Sequence, residues 1–146
     1  MENIRVVSDP RASAADVDFV RDGLSLFNVA ATGDSYYSPL AIFLGYERDA
    51  IFGGAYGHIW GGWLDLSLLW VAWAAELLRS LRKKGYGRNL LEAAEDEAKA
   101  QGCRGVFLHL QLPGAAVLRA LRLRGRGRTS DSPPGHAYYF MRKTLV

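Results

Sequence analysis

The sequence predicts one α/β (α+β) domain that spans residues 1–146. Three observations lead to this prediction: a capped helical pattern near the start, several short apolar segments of strand-like composition, and a strand–turn–helix arrangement over Leu64–Gly102. A chain of this length can bury one sizeable hydrophobic core. We therefore expect its strands and helices to share that core.

The first quarter of the chain predicts a strand, a helix and a loop. Ile4–Val7 is a short apolar segment that predicts the first strand. Ser13 and Asp16 form an S-x-x-D capping box, and the apolar residues that follow have helical spacing through about Ala30. The polar segment Ala31–Pro39 predicts a loop.

Strand-like segments dominate the rest of the chain. The two glycines between Trp60 and Trp63 predict a tight hairpin. Gly53, Gly54 and Gly57 predict a bulge or a close backbone approach in the strand before it. The predicted strands are Leu40–Tyr46, Ala50–Ile59, Leu64–Val71, Gly105–Leu110 and Ala137–Lys143, and the predicted helices are Tyr86–Gln101 and Pro113–Arg122.

A basic turn containing two glycines leads directly into the helix predicted at Tyr86–Gln101. The exposed N–H groups and the dipole of a helix N-terminus favour an anion, and glycine lets the backbone approach it closely. Arginine and lysine side chains add charge-assisted contacts. The pattern predicts a diphosphate site formed by Arg82, Lys83, Lys84, Gly85, Tyr86, Gly87, Arg88 and Asn89.

Sequence patterns argue against several other classes of site. The chain has neither the GxxxxGK[ST] motif of a P-loop nor the GxGxxG fingerprint of a dinucleotide site. His58, His109 and His136 lack the spacing of metal ligands, so we predict no metal site. The lone Cys103 cannot form an internal disulfide, which predicts a cytoplasmic protein in which this thiol is a small buried residue. No apolar run is long enough to cross a membrane.

The net charge of +3 comes from one segment. Five arginines lie within Arg119–Arg128, and without them 13 basic residues face 15 acidic ones. The overall charge therefore says little about partners.

The R-x-x-G-x-G pattern at Arg82–Gly87, with its following helix and the strand Val106–Leu108, resembles the acetyl-CoA site of the GNAT N-acetyltransferases. The resemblance extends from the predicted first strand to the C-terminal SPPGHAYYFMRKTL. It implies a mixed, mostly antiparallel sheet of six to seven strands flanked by about four helices. It also implies that acetyl-CoA is the acetyl donor, with its pyrophosphate in the basic turn and its pantetheine arm at the backbone of Val71 and Ala72.

The resemblance also implies transfer of the acetyl group to a primary amine, which requires a base for the amine and an acid for the thiolate. We predict that Asp65 is the base, because it alternates with Trp63 and Ser67 on one strand face while Leu64, Leu66, Leu68 and Trp70 fill the other. A carboxylate in a surface cross-strand contact is the alternative. Glu47 and His58 are weaker candidates. Tyr138 and Tyr139 are candidates for the acid, and one of the two should face the core.

Two segments depart from the family pattern. Ala74–Arg79 resembles an insertion of about two helical turns. His109–Ser130 lacks the family's Phe-Tyr-Glu-Arg helix, whose tyrosine is the usual acid. One back-translation of Val117–Arg128, started one base later, encodes Phe-Tyr-Glu-Arg-Phe-Gly-Tyr-Glu-Val-Val-Gly. Compensating frameshifts around this segment are one hypothesis, and a divergent basic helix is the other.

The sequence leaves the acceptor open between a small molecule and a peptide. Four aromatic residues suggest an apolar or aromatic acceptor wall or a homodimer face, and ordinary core packing is the alternative for at least two of them: Tyr36, Tyr37, Trp60 and Trp63. One alternative function is an acyl-CoA-binding module that has lost catalysis, which the missing tyrosine favours. The other is a nucleic-acid binder that uses the Arg119–Arg128 cluster, for which affinity would fall steeply with salt.

Overall fold

The computed structural model describes residues 4–46, 50–71, 85–111, 124–131 and 133–146. The chain divides into two compact units, Met1–Ser35 and Tyr36–Val146. The single domain expected from the sequence stays a prediction. The elements are α1 (Ala14–Thr32), β1 (Tyr37–Tyr46), β2 (Ala50–Trp60), β3 (Trp63–Val71), α2 (Tyr86–Ala100), β4 (Gly105–Gln111), β5 (Arg124–Ser130) and β6 (Ala137–Thr144).

The first unit contains the predicted helix and lacks the predicted strand. The side chain of Ser13 accepts a hydrogen bond from the Asp16 N–H, as the capping box predicts. Gly33 adopts a left-handed conformation at the other end of α1, and its N–H donates to the Val29 carbonyl. The strand prediction at Ile4–Val7 is wrong, because these exposed residues form no ladder with any strand that the structure describes.

The second unit contains a six-stranded sheet among the described residues, with the order β1-β2-β3-β4-β6-β5. Neighbouring strands are antiparallel except for β3 and β4, which are parallel. The mixed, mostly antiparallel sheet is therefore confirmed. The described ranges contain two helices, and the helix predicted at Pro113–Arg122 lies outside them.

Helix α2 covers one face of the sheet, here called the helix face, and contacts β1, β2, β3 and β4. The helix presents a stripe that includes Leu90, Leu91, Ala94 and Ala98. This apolar spacing matches the 3.6 residues per turn of an α-helix. For this reason the predicted helix, Tyr86–Gln101, begins where α2 begins and ends one residue later than α2. The strands contribute the other side of the core through Leu40, Ala55, Ile59, Leu64, Leu66, Val106, Leu108 and Met141.

The remaining strand boundaries follow from turns and pairing. Gly61 and Gly62 have positive φ values of 62° and 75° and join β2 to β3 in the predicted hairpin. The loop predicted over Ala31–Pro39 is shorter than expected, since α1 ends at Thr32 and β1 begins at Tyr37. Strand β5 was not predicted from its Arg- and Gly-rich sequence, and pairing with β6 holds it in the sheet.

Candidate functional site

Strands β3 and β4 separate halfway along their length. They pair only from Trp63 with Gly105 to Leu66 with Leu108. Beyond that point β3 continues to Val71 beside β2, and β4 continues to Gln111 beside β6. The two facing edges therefore leave backbone groups without a ladder partner in the described part of the sheet. A cleft of this kind can accept an extended ligand that carries amide groups.

A β-bulge lies where the cleft begins. Tyr56 pairs with Leu68 and Gly57 with Leu66, so Ser67 is the extra residue on β3. Gly57 allows the distortion, because a Cβ there would lie 2.1 Å from the Asp65 carbonyl oxygen. The close backbone approach predicted from the β2 glycines is therefore confirmed at Gly57, and the extra residue itself lies on β3.

Because of the bulge, the predicted alternation of side chains between the two faces of β3 is wrong beyond Ser67. Leu64 and Leu66 are buried on the helix face, as expected. Leu68 and Trp70 were expected beside them, but they are 63% and 59% exposed. The extra residue shifts the alternation by one position, which moves both side chains to the face that bears Asp65.

The N-terminus of α2 lies beside the end of β3. A Cβ at Gly87 would be 3.9 Å from the Val71 side chain. Gly85 is the N-cap residue, with a φ of 76° and no side-chain cap, and the first turn of α2 contains no acidic residue. Its N–H groups are therefore oriented as in an anion site.

The predicted anion ligands are only partly within the described residues. The Nε of Arg88 donates to Glu92 at 2.8 Å in an exposed pair, which a competing anion can replace at small cost. The N–H of Asn89 donates to the Gly85 carbonyl, and its side chain is exposed. Tyr86 begins the helix and is half-buried. The predicted contacts at Ala72, Arg82, Lys83 and Lys84 lie outside the described residues.

Asp65 lies on the sheet face opposite α2, here called the open face. Its Oδ2 is 4.0 Å from the Nε2 of His58 on β2, and both side chains are partly exposed. The ring of Tyr37 stacks on His58 with centroids 5.4 Å apart. One polar group placed between Asp65 and His58 could therefore contact both. His58 is only a weaker candidate for the base in the sequence, although its pairing with Asp65 follows from the Gly61-Gly62 hairpin.

The two tyrosines of β6 lie on opposite faces, as the sequence predicts. Tyr139 packs against the hydrophobic core on the helix face. Tyr138 lies on the open face, 5.3 Å from Phe140 and 6.0 Å from His109 between ring centroids. Only Tyr138 therefore shares a face with Asp65.

An aromatic cavity of about 520 Å³ opens on the same face of the sheet. This volume falls within the range of roughly 300–1,000 Å³ that is common for small-molecule sites. Of the lining residues, only Trp63 is among the four aromatic residues that the sequence indicates as an acceptor wall. Phe107 and His109 on β4 and Phe140 and Arg142 on β6 alternate onto this face, and Met141 lies between the last two with its side chain in the core. The lining residues are Trp63, Phe107, His109, Phe140, Met141 and Arg142.

The buried cysteine is not a candidate catalytic group. Cys103 is buried after the left-handed Gly102, and burial raises the pKa of its thiol, so the thiolate is disfavoured. Within the described ranges, no group of three His, Cys, Asp or Glu residues comes together as metal ligands would. None of the helices in the described part of the chain is long and apolar enough to cross a membrane.

The sequence profile of the acetyltransferase (GNAT) family matches residues 19–125. Acetyltransferase Atu2258 from Agrobacterium fabrum is 34% identical over 109 residues, which are 75% of this chain and 72% of the relative. Blasticidin-S acetyltransferase from Streptomyces morookaense is 32% identical over 114 residues, which are 73% of this chain and 78% of the relative.

Solved structures agree with these relationships. The crystal structure of a protein described as an acetyltransferase, from Agrobacterium tumefaciens, matches with a TM-score of 0.85 and 27% identity. The match covers 97% of this chain and 99% of that protein's chain. An acetyltransferase from Bacillus cereus shares the fold, with a TM-score of 0.76, 24% identity, and coverage of 96% and 97%. Together with the family profile, these matches show that the chain belongs to the GNAT family of acetyltransferases.

Proposed function

We propose that this acetyltransferase uses acetyl-CoA as the donor and a primary amine as the acceptor. The observation that carries the proposal is the cleft between β3 and β4, which begins at the Ser67 bulge and has the N-terminus of α2 beside the end of β3. An amide-containing arm fits the cleft edges, and a pyrophosphate fits the helix end. An aminoglycoside 6'-N-acetyltransferase in complex with coenzyme A shares this fold, with a TM-score of 0.59.

The donor would be held by backbone groups and by cations. The N–H groups at the start of α2 and the backbone of Val71 and Ala72 would donate to or accept from it. The cationic side chains would contact the pyrophosphate. The complete set proposed to bind the donor is Val71, Ala72, Arg82, Lys83, Lys84, Gly85, Tyr86, Gly87, Arg88 and Asn89.

The chemistry requires the protein to move protons and to position the amine. Acetyl-CoA supplies the acetyl group as a thioester. The amine nitrogen attacks the thioester carbonyl, so that a C–N bond forms, the C–S bond breaks and coenzyme A leaves as the thiolate. Asp65 accepts the proton that the amine loses, with His58 close enough to contact the same group.

Tyr138 is the stronger of the two candidates for the acid that protonates the thiolate. It shares the open face with Asp65, whereas Tyr139 is held in the core. We therefore propose that Tyr138 supplies this proton and that Tyr139 is a packing residue. Strand β4 lies between Tyr138 on β6 and the cleft, so Tyr138 and Asp65 would act from opposite sides of β4.

Thermal unfolding with acetyl-CoA, and with ATP as the control anion, tests the donor site. A ligand that binds the folded protein raises the midpoint of unfolding. A shift with acetyl-CoA and none with ATP is expected. Equal shifts with both would contradict a specific donor site and leave only a general anion site.

Release of the coenzyme A thiol with a panel of amines tests the chemistry. Asp65→Asn should lower kcat/KM by roughly 10²- to 10⁴-fold while the midpoint shift with acetyl-CoA stays as in the parent. The matched control is Asp96→Asn, which changes a carboxylate that is 79% exposed on α2. Full activity of Asp65→Asn would contradict the assigned base. Donor binding without thiol release from any amine would favour the acyl-CoA-binding module.

A further inference from the structure

A row of side chains on the open face crosses three strands at the aromatic cavity. Asp65 pairs with Phe107, and Phe107 pairs with Arg142. The row therefore carries a carboxylate at one end, an aromatic ring in the middle and a guanidinium at the other end. Adjacent strands are about 4.8 Å apart, so the two charged residues are separated by roughly 10 Å of backbone.

Gly105 creates room for the wall of the cavity. It is the β4 partner of Trp63, and a Cβ at this position would lie 2.3 Å from the Trp63 ring. The indole ring therefore lies across the glycine. The guanidinium of Arg142 lies over the same ring, 4.8 Å from its centroid, which fixes the cation at the edge of the cavity.

Arg142 is available to an anionic ligand. Its described contact is the Trp63 ring, and no carboxylate in the described part of the chain forms an ion pair with it. Nearby Lys143 extends to the helix face and binds Glu95, so it does not compete for a ligand on the open face. An arginine held by an aromatic ring has a planar donor edge suited to a carboxylate.

We infer that the aromatic cavity binds an acceptor built on a flat ring, and this inference rests on the proposed function. The acceptor carries a carboxylate at one end of the ring and the reactive primary amine at the other. Arg142 binds the carboxylate. Phe107, Trp63 and Phe140 contact the ring. The amine then points along the row toward Asp65 and the start of the cleft. The opposite charges at the two ends of the row orient the acceptor in one direction.

Two probes that share a ring and an amine test this inference. 4-(Aminomethyl)benzoate carries the carboxylate, and 4-methylbenzylamine replaces it with a methyl group. In the parent protein, kcat/KM for the carboxylate probe should exceed that for the methyl probe by roughly 10-fold or more. In Arg142→Gln this ratio should fall to about 1.

Arg128→Gln is the matched control for net charge. Arg128 also lies over an aromatic ring, 5.8 Å from the Tyr139 centroid, but on the helix face. It should therefore keep the ratio of the parent. A ratio near 1 in the parent, or an equal loss of the ratio in Arg128→Gln and Arg142→Gln, would overturn the inference.

Calorimetric binding separates failure of this inference from failure of the proposed function. The titration adds 4-(aminomethyl)benzoate to the protein in the presence of coenzyme A. If neither probe is acetylated but the carboxylate probe binds and Arg142→Gln abolishes that binding, the cavity assignment stands and the proposed reaction fails. If acetyl-CoA raises the unfolding midpoint but the carboxylate probe neither reacts nor binds, the cavity assignment is overturned and the donor site stands.

Discussion

Replacing Lys143 with methionine should destabilise the protein strongly, because Lys143 is the partner of a buried carboxylate. Its Nζ lies 2.7 Å from the Oε2 of Glu95, which is only 4% exposed. The other oxygen of Glu95 has no hydrogen-bond partner among the residues that the structure describes. Lys143→Met would therefore leave a buried negative charge without its partner between α2 and β6.

The expected loss follows from the burial of the two groups. Removing one member of a buried ion pair costs about 3–5 kcal/mol of unfolding free energy. The Lys143 side chain is 26% exposed, so water can reach part of the site. We therefore expect a loss near the lower end, about 3 kcal/mol. The double variant Glu95→Leu/Lys143→Met removes both charges, and it should be close to the parent in stability.

Urea unfolding followed by circular dichroism measures these differences. Glu92→Gln is the matched control, because Glu92 pairs with Arg88 on the exposed side of the same helix, and its loss should cost less than about 0.5 kcal/mol. The reasoning fails if Lys143→Met costs no more than this control. It also fails if the loss of unfolding free energy in the double variant equals the sum of the losses in Glu95→Leu and Lys143→Met.

Two further predictions concern the bulge and the buried thiol. Gly57→Ala should lower the stability by about 1–3 kcal/mol and should also lower kcat. The reason is that the new methyl group would lie 2.1 Å from the Asp65 carbonyl oxygen. Urea unfolding measures the first effect and thiol release the second, and unchanged values would contradict the assigned bulge. Burial raises the pKa of Cys103 above its ordinary value, so the native state holds this proton more tightly than the unfolded chain does. The resulting stability should be complete below the pKa of the thiol in the unfolded chain and lost as the pH rises through the folded pKa. The decline should be smaller in Cys103→Ala, and identical pH profiles would refute it.

Much of the second unit could be predicted from the sequence, because its signals are local. The stripe of α2, the glycine hairpin and the apolar strands each depend on residues close together in the chain. The predicted alternation of buried and exposed side chains along β3 is wrong from Leu68 onward, because nothing within β3 marks Ser67 as the extra residue. The signal lies across the ladder, at Gly57.

The errors at the two ends of the predicted sheet have a common physical reason. An edge strand depends on its neighbour more than on its own composition. Ile4–Val7 has a suitable composition but no described neighbour, whereas Arg124–Ser130 has an unsuitable composition and pairs with β6. In the shifted frame, Glu, Val and Val would occupy positions 124–126, and valine suits a strand better. The frameshift hypothesis stays a prediction.

The candidate site was only partly predictable because it is assembled across strands. Asp65 and the basic turn stand out in the sequence by residue type. His58, Phe107 and Arg142 do not, since their importance depends on which residues face each other in the sheet. The roles of Asp65, Tyr138 and the donor-binding residues stay predictions until the variants are measured.

The short parallel ladder between β3 and β4 also affects how this unit can fold. The antiparallel strands on either side of it are joined mainly to near neighbours in the chain, so each half can form early. Pairing Leu66 with Leu108 instead closes a chain segment of about forty residues, at an entropic cost that the four residue pairs of this ladder must offset. The cleft between β3 and β4 thus lies at the junction expected to close last, and the proposed donor, by bridging both edges, would join the two halves much as an additional strand does.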